Sequence, residues 1–242
     1  MLIAGWKPFS LVDVVGRITF TTWACGCNLK CPFCHNWKVA EWQGCFEIPL
    51  EKFREELRDA KGFVDYLHLT GGEPALQPKL VKELSKISRE EGVEFSLNTN
   101  CTVPASYELI DLADHVATDV KMPFEPLYGV NGNAKVFFEN FRRCLNKLAQ
   151  SRKPVELRIP VAKGLTMNYL DEIKRMVDIF DREKTVIVVN PLVTEPLTDP
   201  RDKAWCSEHC YKGNMPEEEA KEWERAFKEM GFKVKVKRWI NE

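Results

Sequence analysis

The stretch GRITFTTWACGCNLKCPFCHNW, residues 16–37, sets a run of apolar and β-branched residues directly against a loop carrying four cysteines, a histidine and a tryptophan. The first eight residues, GRITFTTW, predict a buried strand. In the loop after it, Cys27, Cys31 and Cys34 stand at the spacing Cys-x3-Cys-x2-Cys. Three thiolates on one short loop suit a cubic [4Fe-4S] cluster, each holding one iron and leaving the fourth iron without a protein ligand. A tetrahedral zinc site of Cys27, Cys31, Cys34 and His35 is the alternative, but His35 is adjacent to Cys34, and closed zinc sites usually draw their ligands from two separated knuckles. Cys25 reads as a spare buried thiol, because a fourth ligand would close the open iron.

Working outward, further strand patterns occur at 65–70, 94–98, 115–120, 155–161 and 185–190, with a last short one at 232–236. Between them lie helical patterns. Pro49 opens one over 49–60, Leu80, Leu84 and Ile87 share a face in 78–91, and Phe137, Phe141, Leu145 and Leu148 do so in 134–149. Leu170, Ile173, Val177 and Phe180 repeat the stripe, as do Ala220, Trp223, Phe227 and Met230. Such stripes are core. Strands alternating with helices predict parallel β/α units wound into an α/β partial (β/α)6 barrel with a short C-terminal extension, because six good units are too few for a closed eight-unit barrel. No linker divides the chain, so one domain over 1–242 is expected, with a core of about 16–190 and an extension of about 191–242. In this architecture chemistry gathers at the C-terminal ends of the strands.

Composition excludes several classes. The 35 basic and 36 acidic side chains give a formal net charge of -1, so bulk charge predicts no nucleic-acid partner. No apolar stretch reaches membrane-spanning length and no signal sequence opens the chain, so a cytoplasmic protein is expected. Nine cysteines, four of them crowded into residues 25–34, argue against a secreted disulfide framework and for metal or redox chemistry.

After the second strand comes Thr70-Gly71-Gly72-Glu73-Pro74. The glycines permit close backbone approach to a ligand, and Glu73 offers a carboxylate to an ammonium group. A plain strand-ending turn is the ordinary fate of Gly-Gly. With Asn28 after the first cysteine and Phe33 before the last, the cysteine loop and this GGEP segment together resemble the radical S-adenosylmethionine superfamily. The resemblance implies a [4Fe-4S] cluster on Cys27, Cys31 and Cys34, with S-adenosylmethionine chelating the open iron. One electron then yields a 5′-deoxyadenosyl radical that abstracts hydrogen. It also implies that Phe33, Gly71, Gly72 and Glu73 contact the cofactor, Glu73 through the methionyl amine.

Within that superfamily, residues 10–36, LNTNCT (97–102), TDVK (118–121) and LRIPV (157–161) resemble the activating enzymes of glycyl-radical proteins, most of all those of anaerobic ribonucleoside-triphosphate reductase. This implies a glycyl-radical partner of the reductase or pyruvate formate-lyase type and an electron donor such as flavodoxin or ferredoxin. Asn98, Asp119 and Arg158 are thereby expected around the cofactor, and Asp119 with Lys121 as catalytic residues. The bland readings are a strand cap for Asn98, a mutual pair for Asp119 and Lys121, and a structural salt bridge for Arg158. Val14-Val15-Gly16 stands where the relatives often have Gly-Pro-Gly, and Cys101 where they have Gly. Two other functions remain open: a radical enzyme acting on a small molecule or nucleoside, and a non-catalytic iron-sulfur or zinc module. Cys206 and Cys210, at i and i+4 beside His209, read as free thiols or a disulfide near the site, or as thiols serving a substrate step or a second metal.

Overall fold

A computed structural model describes residues 1–130, 132 and 134–239. Residues 240–242, the end of the expected extension, lie outside the described residues. The strands are β1 (Leu2–Ile3), β2 (Gly5–Ser10), β3 (Thr19–Ala24), β4 (Phe46–Glu47), β5 (Tyr66–Gly71), β6 (Glu94–Asn98), β7 (His115–Asp119), β8 (Val155–Val161), β9 (Thr185–Pro191) and β10 (Lys233–Val236). Eight of them form one sheet in the order β10-β9-β8-β7-β6-β5-β3-β2. All neighbours run parallel except β2, which pairs antiparallel with β3. Among the described residues β2 and β10 do not pair, so the barrel is partial and stays open between them.

The expected parallel strands all appear. The antiparallel edge strand β2 was not expected, because Gly5-Trp-Lys-Pro-Phe-Ser10 lacks a clean alternation; Trp6, tucked against the core, donates its indole N–H to Glu56 at 3.2 Å. The helices that cover the sheet follow their apolar stripes. The helix Pro78–Glu91 begins on Pro78, ends on Gly92 in the left-handed region, and buries Leu80, Val81, Leu84 and Ile87. The helix Ala134–Ser151 buries Phe141, Cys144, Leu145 and Leu148. Phe137 of the same stripe lies instead against the cysteine loop, beside Leu29 and Tyr128. The helix Glu217–Lys228 buries Trp223 and Phe227 into the main core.

Register places one set of side chains inside the barrel. Thr21, His68, Ser96 and His115 pair across β3, β5, β6 and β7, and Asp119, Arg158 and Val188 across β7, β8 and β9. The turn between β2 and β3 closes the N-terminal end. There the Arg158 guanidinium donates to the Asp13 carbonyl, and the Val15 N–H donates to the Glu156 carboxylate at 3.0 Å. The other end, where the strands finish, carries the cysteine loop.

Candidate active site

Four pieces of backbone fix the cysteine loop. On one side, the N–H groups of Gly26 and Cys27 donate to the carbonyls of Val39 (2.9 Å) and Ala40 (3.0 Å) of the short helix Trp37–Ala40. From β5, Gly72 N–H donates to Ala24 O at 2.9 Å and Glu73 N–H to Gly26 O at 2.7 Å. Lys30 N–H donates to Tyr128 O at 2.9 Å, and from the C-terminal segment Arg201 and Asp202 donate to Cys34 O (3.1 Å) and Pro32 O (2.9 Å). The glycines are required by this packing: a Cβ on Gly72 would sit 1.9 Å from Gly26 O, and one on Gly71, at φ +110°, 2.5 Å from Ala24 O. The close approach is between two stretches of protein backbone, where the sequence suggested backbone against ligand.

Cys27, Cys31 and Cys34 are all free thiols, Cys31 buried and the other two partly so. They share an apolar cluster with Leu29, Tyr128, Phe33, Phe124 and Phe138. Burial pushes the thiols up, Cys27 and Cys31 to about 12 and Cys34 to about 11; the Glu73 carboxylate adds to the effect at Cys27, and the Cys27 thiol at Cys34. Two N–H donors point at Cys27 Sγ: Leu29 N at 3.4 Å and Asn100 Nδ2 at 3.8 Å. Among the described residues no three His, Cys, Asp or Glu side chains converge on a point where one metal ion could sit.

Glu73 is fully buried and accepts three hydrogen bonds, from Thr99 Oγ1 (2.6 Å) and Ala75 N (2.9 Å) on Oε1 and from Asn100 N (2.6 Å) on Oε2. Burial raises its carboxyl, and these donors work against that rise. Asp119 and Lys121 pair at 2.7 Å at the end of β7. Burial opposes both charges, yet Lys121 and Arg158 hold the Asp119 carboxyl below its usual range, and Asp119 raises the Lys121 ammonium. Arg158 is clamped by Glu156 at 2.7 Å and by the Asp13 carbonyl. In its better amide orientation Asn98 accepts from Arg158 Nη1 (3.2 Å) and Thr70 Oγ1 (2.9 Å) and donates to Ala117 O (3.2 Å). Each bland pairing is thus present, and all of these groups still face the barrel interior beneath the cysteine loop. Phe33 packs on Trp205 with ring centroids 6.1 Å apart. His35 lies at the mouth within electrostatic reach of Asp119 and Lys237.

A family model described as the radical SAM superfamily matches residues 22–177. The chain belongs to the radical SAM superfamily. Among curated relatives it is 32% identical over 129 residues to a putative glycyl-radical enzyme activating enzyme of Methanocaldococcus jannaschii, a match covering 51% of this chain and 52% of the relative. The chain therefore spans about half the length of that relative. Identity is 26% over 174 residues to the pyruvate formate-lyase 1-activating enzyme of Escherichia coli, covering 67% of this chain and 68% of that one. It is 35% over 118 residues to a 7-carboxy-7-deazaguanine synthase of Methanopyrus kandleri, covering 40% and 47%. Among solved structures, Streptococcus suis SuiB bound to its precursor peptide SuiA superposes with a TM-score of 0.66 at 14% identity, over 90% of this chain and 48% of that one, a likeness of fold.

Radical SAM enzymes use a [4Fe-4S] cluster and S-adenosylmethionine, and the donor set here fits the cluster. Three free thiols crowd one apolar loop without meeting at a single point, and N–H groups stand ready for sulfur. One cysteine expectation needs correction: Cys25 is not a spare thiol but is joined to Cys45. Of the readings open for Cys206 and Cys210, the structure shows the disulfide. The second pair is sealed in an apolar cluster with Leu127, Ala162 and Leu192, so it offers no thiols to a second metal. The spacing of Cys45, 20 residues beyond Cys25, carried no signal for that pairing.

Residues the sequence reading passed over include Thr99 and Asn100, which hold Glu73; Gly129, whose missing Cβ lets Lys30 O approach; and Arg201, which pairs with Glu41 at 3.2 Å. The first two lay inside the quoted LNTNCT. Cys101 of the same stretch adopts φ +59°, which accounts for glycine being the easier residue at that turn.

Proposed function

We propose that this radical SAM enzyme installs a glycyl radical on a partner enzyme. The observation that carries the reading is the shared stretch with two relatives named as activating enzymes, one of which the match covers over 68% of its length. The open side of the barrel between β2 and β10 supports it, since a protein substrate has to present a loop to the interior. Cys27, Cys31 and Cys34 would hold the cluster, which with S-adenosylmethionine bound would supply the one-electron reduction that splits the sulfonium into methionine and a 5′-deoxyadenosyl group able to take a hydrogen atom from a glycine Cα.

The chain's own residues position that chemistry. One lone pair of Glu73 Oε2 remains free for the methionyl ammonium, and the carboxylate is locked in place by Thr99, Asn100 and Ala75. Asp119 and Lys121, a pair on the interior row whose lysine is buried and whose carboxylate is partly exposed, orient polar groups of the nucleotide, and Asn98 and Arg158 line the wall beside them. Phe33 and Tyr128 keep water from the thiols. In the test, the reduced, reconstituted protein is mixed with candidate glycyl-radical enzymes from the same cell and with S-adenosylmethionine. A glycyl doublet in electron paramagnetic resonance, with 5′-deoxyadenosine formed in step, supports the reading. Nucleoside cleavage with no doublet in any partner refutes it and favours a small-molecule substrate.

A further inference from the structure

The sequence KVKVK, residues 233–237, ends the sheet at its open side. Val234 and Val236 pack against the core. Parallel register sets Lys233 opposite Val186 and Lys235 opposite Val188, and Val188 in turn opposite Arg158, which faces Asp119. The lysines of β10 therefore stand on the interior face of the sheet, at the lip of the opening. Lys233 and Lys235 are exposed. Lys237, one step beyond the strand, reaches inward to within electrostatic range of Arg158, Asp13, Glu156 and Asp119, and its ammonium lies 4.6 Å from the centroid of the Trp239 ring. Trp239 is itself anchored by its indole N–H on Pro191 O at 2.9 Å. Among the described residues none of the three lysines makes an ion pair, whereas Lys121 and Arg158 deeper in the barrel are both paired. Beside Lys237, the carboxamide oxygen of Asn190 is out of solvent and has no hydrogen-bond partner.

We propose that Lys233, Lys235 and Lys237 form a docking rail for an acidic, extended polypeptide segment of the protein on which this enzyme acts. The proposal rests on the reading that the substrate is a protein. Alternate residues on a strand are spaced by roughly 6.6 Å, so three lysines cover about 13 Å in a line and cannot converge on one phosphate or carboxylate. They match a linear polyanion of the same repeat. A second strand has that repeat, and the free edge of β10 offers it unpaired backbone N–H and C=O groups, which a nucleic acid cannot use in this way.

The experiment uses the anaerobically reconstituted holoprotein and short fluorescent peptides of alternating Glu and Thr, or alternating Lys and Thr, with an oligothymidylate of equal length as a third probe. The acidic peptide should bind and weaken with added salt. Its affinity should fall about tenfold or more in Lys233→Glu/Lys235→Glu and less in Lys233→Gln/Lys235→Gln. It should hold in Lys79→Glu/Lys82→Glu, an equal charge change on the outer face of the helix Pro78–Glu91. Thermal unfolding checks that each variant is folded, and the Gln pair serves if the Glu pair is not. Equal binding to all variants would mean that the lysines only guard a free edge and would overturn the proposal, as would a preference for the oligothymidylate. Rail-dependent peptide binding with no glycyl doublet in any partner would sink the activase reading alone. A doublet formed equally well by the rail variants would sink the rail alone.

Discussion

The barrel interior has two polar ends that differ in how their groups are satisfied. At the floor, His68, Ser96 and His115 form a chain of hydrogen bonds at 2.8 Å, and Thr21 donates to Asp13 at 2.8 Å. Glu156 holds both Arg158 and the Val15 N–H. At the mouth, three thiols have no covalent or ionic partner, and one oxygen of Glu73 keeps a free lone pair. A polar interior is therefore not a site in itself. The floor spends most of its polarity on closing the barrel, with His68 Nε2 left unpartnered, and the mouth keeps some for a ligand.

Several variants test that contrast. The largest effect belongs to Gly72→Val, because its side chain would collide with Gly26 O and drive the GGEP segment off the cysteine loop. We expect a loss of about 4 kcal/mol or more in denaturant unfolding together with failed iron uptake; normal iron content would show that the two loops need not touch. Next, Glu156→Gln should cost about 3 kcal/mol by leaving Arg158 without its buried partner. In the molecules that remain folded, S-adenosylmethionine binding should weaken only slightly, through the loosened Arg158. Asp119→Asn should cost similar stability through Lys121 and lose cofactor binding as well, so equal binding by the two variants would erase the distinction between floor and mouth.

Acid supplies a second test of the floor. Burial, acting first, and the Arg158 charge keep His68 down to about 3 and His115 to about 4, against an ordinary 6.5. Between 6.5 and about 4 the unfolded chain takes up protons that the folded floor refuses, so stability falls as pH drops through that window, by on the order of 3 kcal/mol for His115. His115→Gln should flatten the fall; an unchanged pH profile would mean the ring is charged in the fold. The smallest effect is expected from Asn100→Ala, about 2 kcal/mol, because the side chain gives up its donors to Asn28 and to Cys27 Sγ and the oxygen that accepts from Thr102 N and Oγ1. Its sharper readout is a lower reduction potential of the cluster, since hydrogen bonds to sulfur raise it.

Much of the mouth was legible because its groups are local in sequence. The Cys27 to Cys34 spacing, the Gly71-Gly72-Glu73 segment and the strand-end position of Asp119 each follow from a short stretch and the parallel β/α pattern. The floor was not legible. Arg158 meets Asp13 across 145 residues, and nothing in Asp13-Val14-Val15 announces that its carbonyl and N–H close a barrel. The Cys25–Cys45 disulfide was missed for the same reason, as its pairing depends on where the segment after the loop returns, whereas the four-residue spacing of Cys206 and Cys210 already admitted theirs. The inward lysines of β10 were visible as an alternation, but their direction needed the register with β9.

Iron and acid-labile sulfide, counted after anaerobic reconstitution in the parent protein and in Cys27→Ala/Cys31→Ala/Cys34→Ala, test the central claim most directly. The account predicts roughly four of each per parent chain, an electronic signal that changes when S-adenosylmethionine is added, and neither iron nor sulfide in the variant. A single sulfide-free metal ion in the parent, or a cluster whose spectrum ignores the nucleotide, would contradict it.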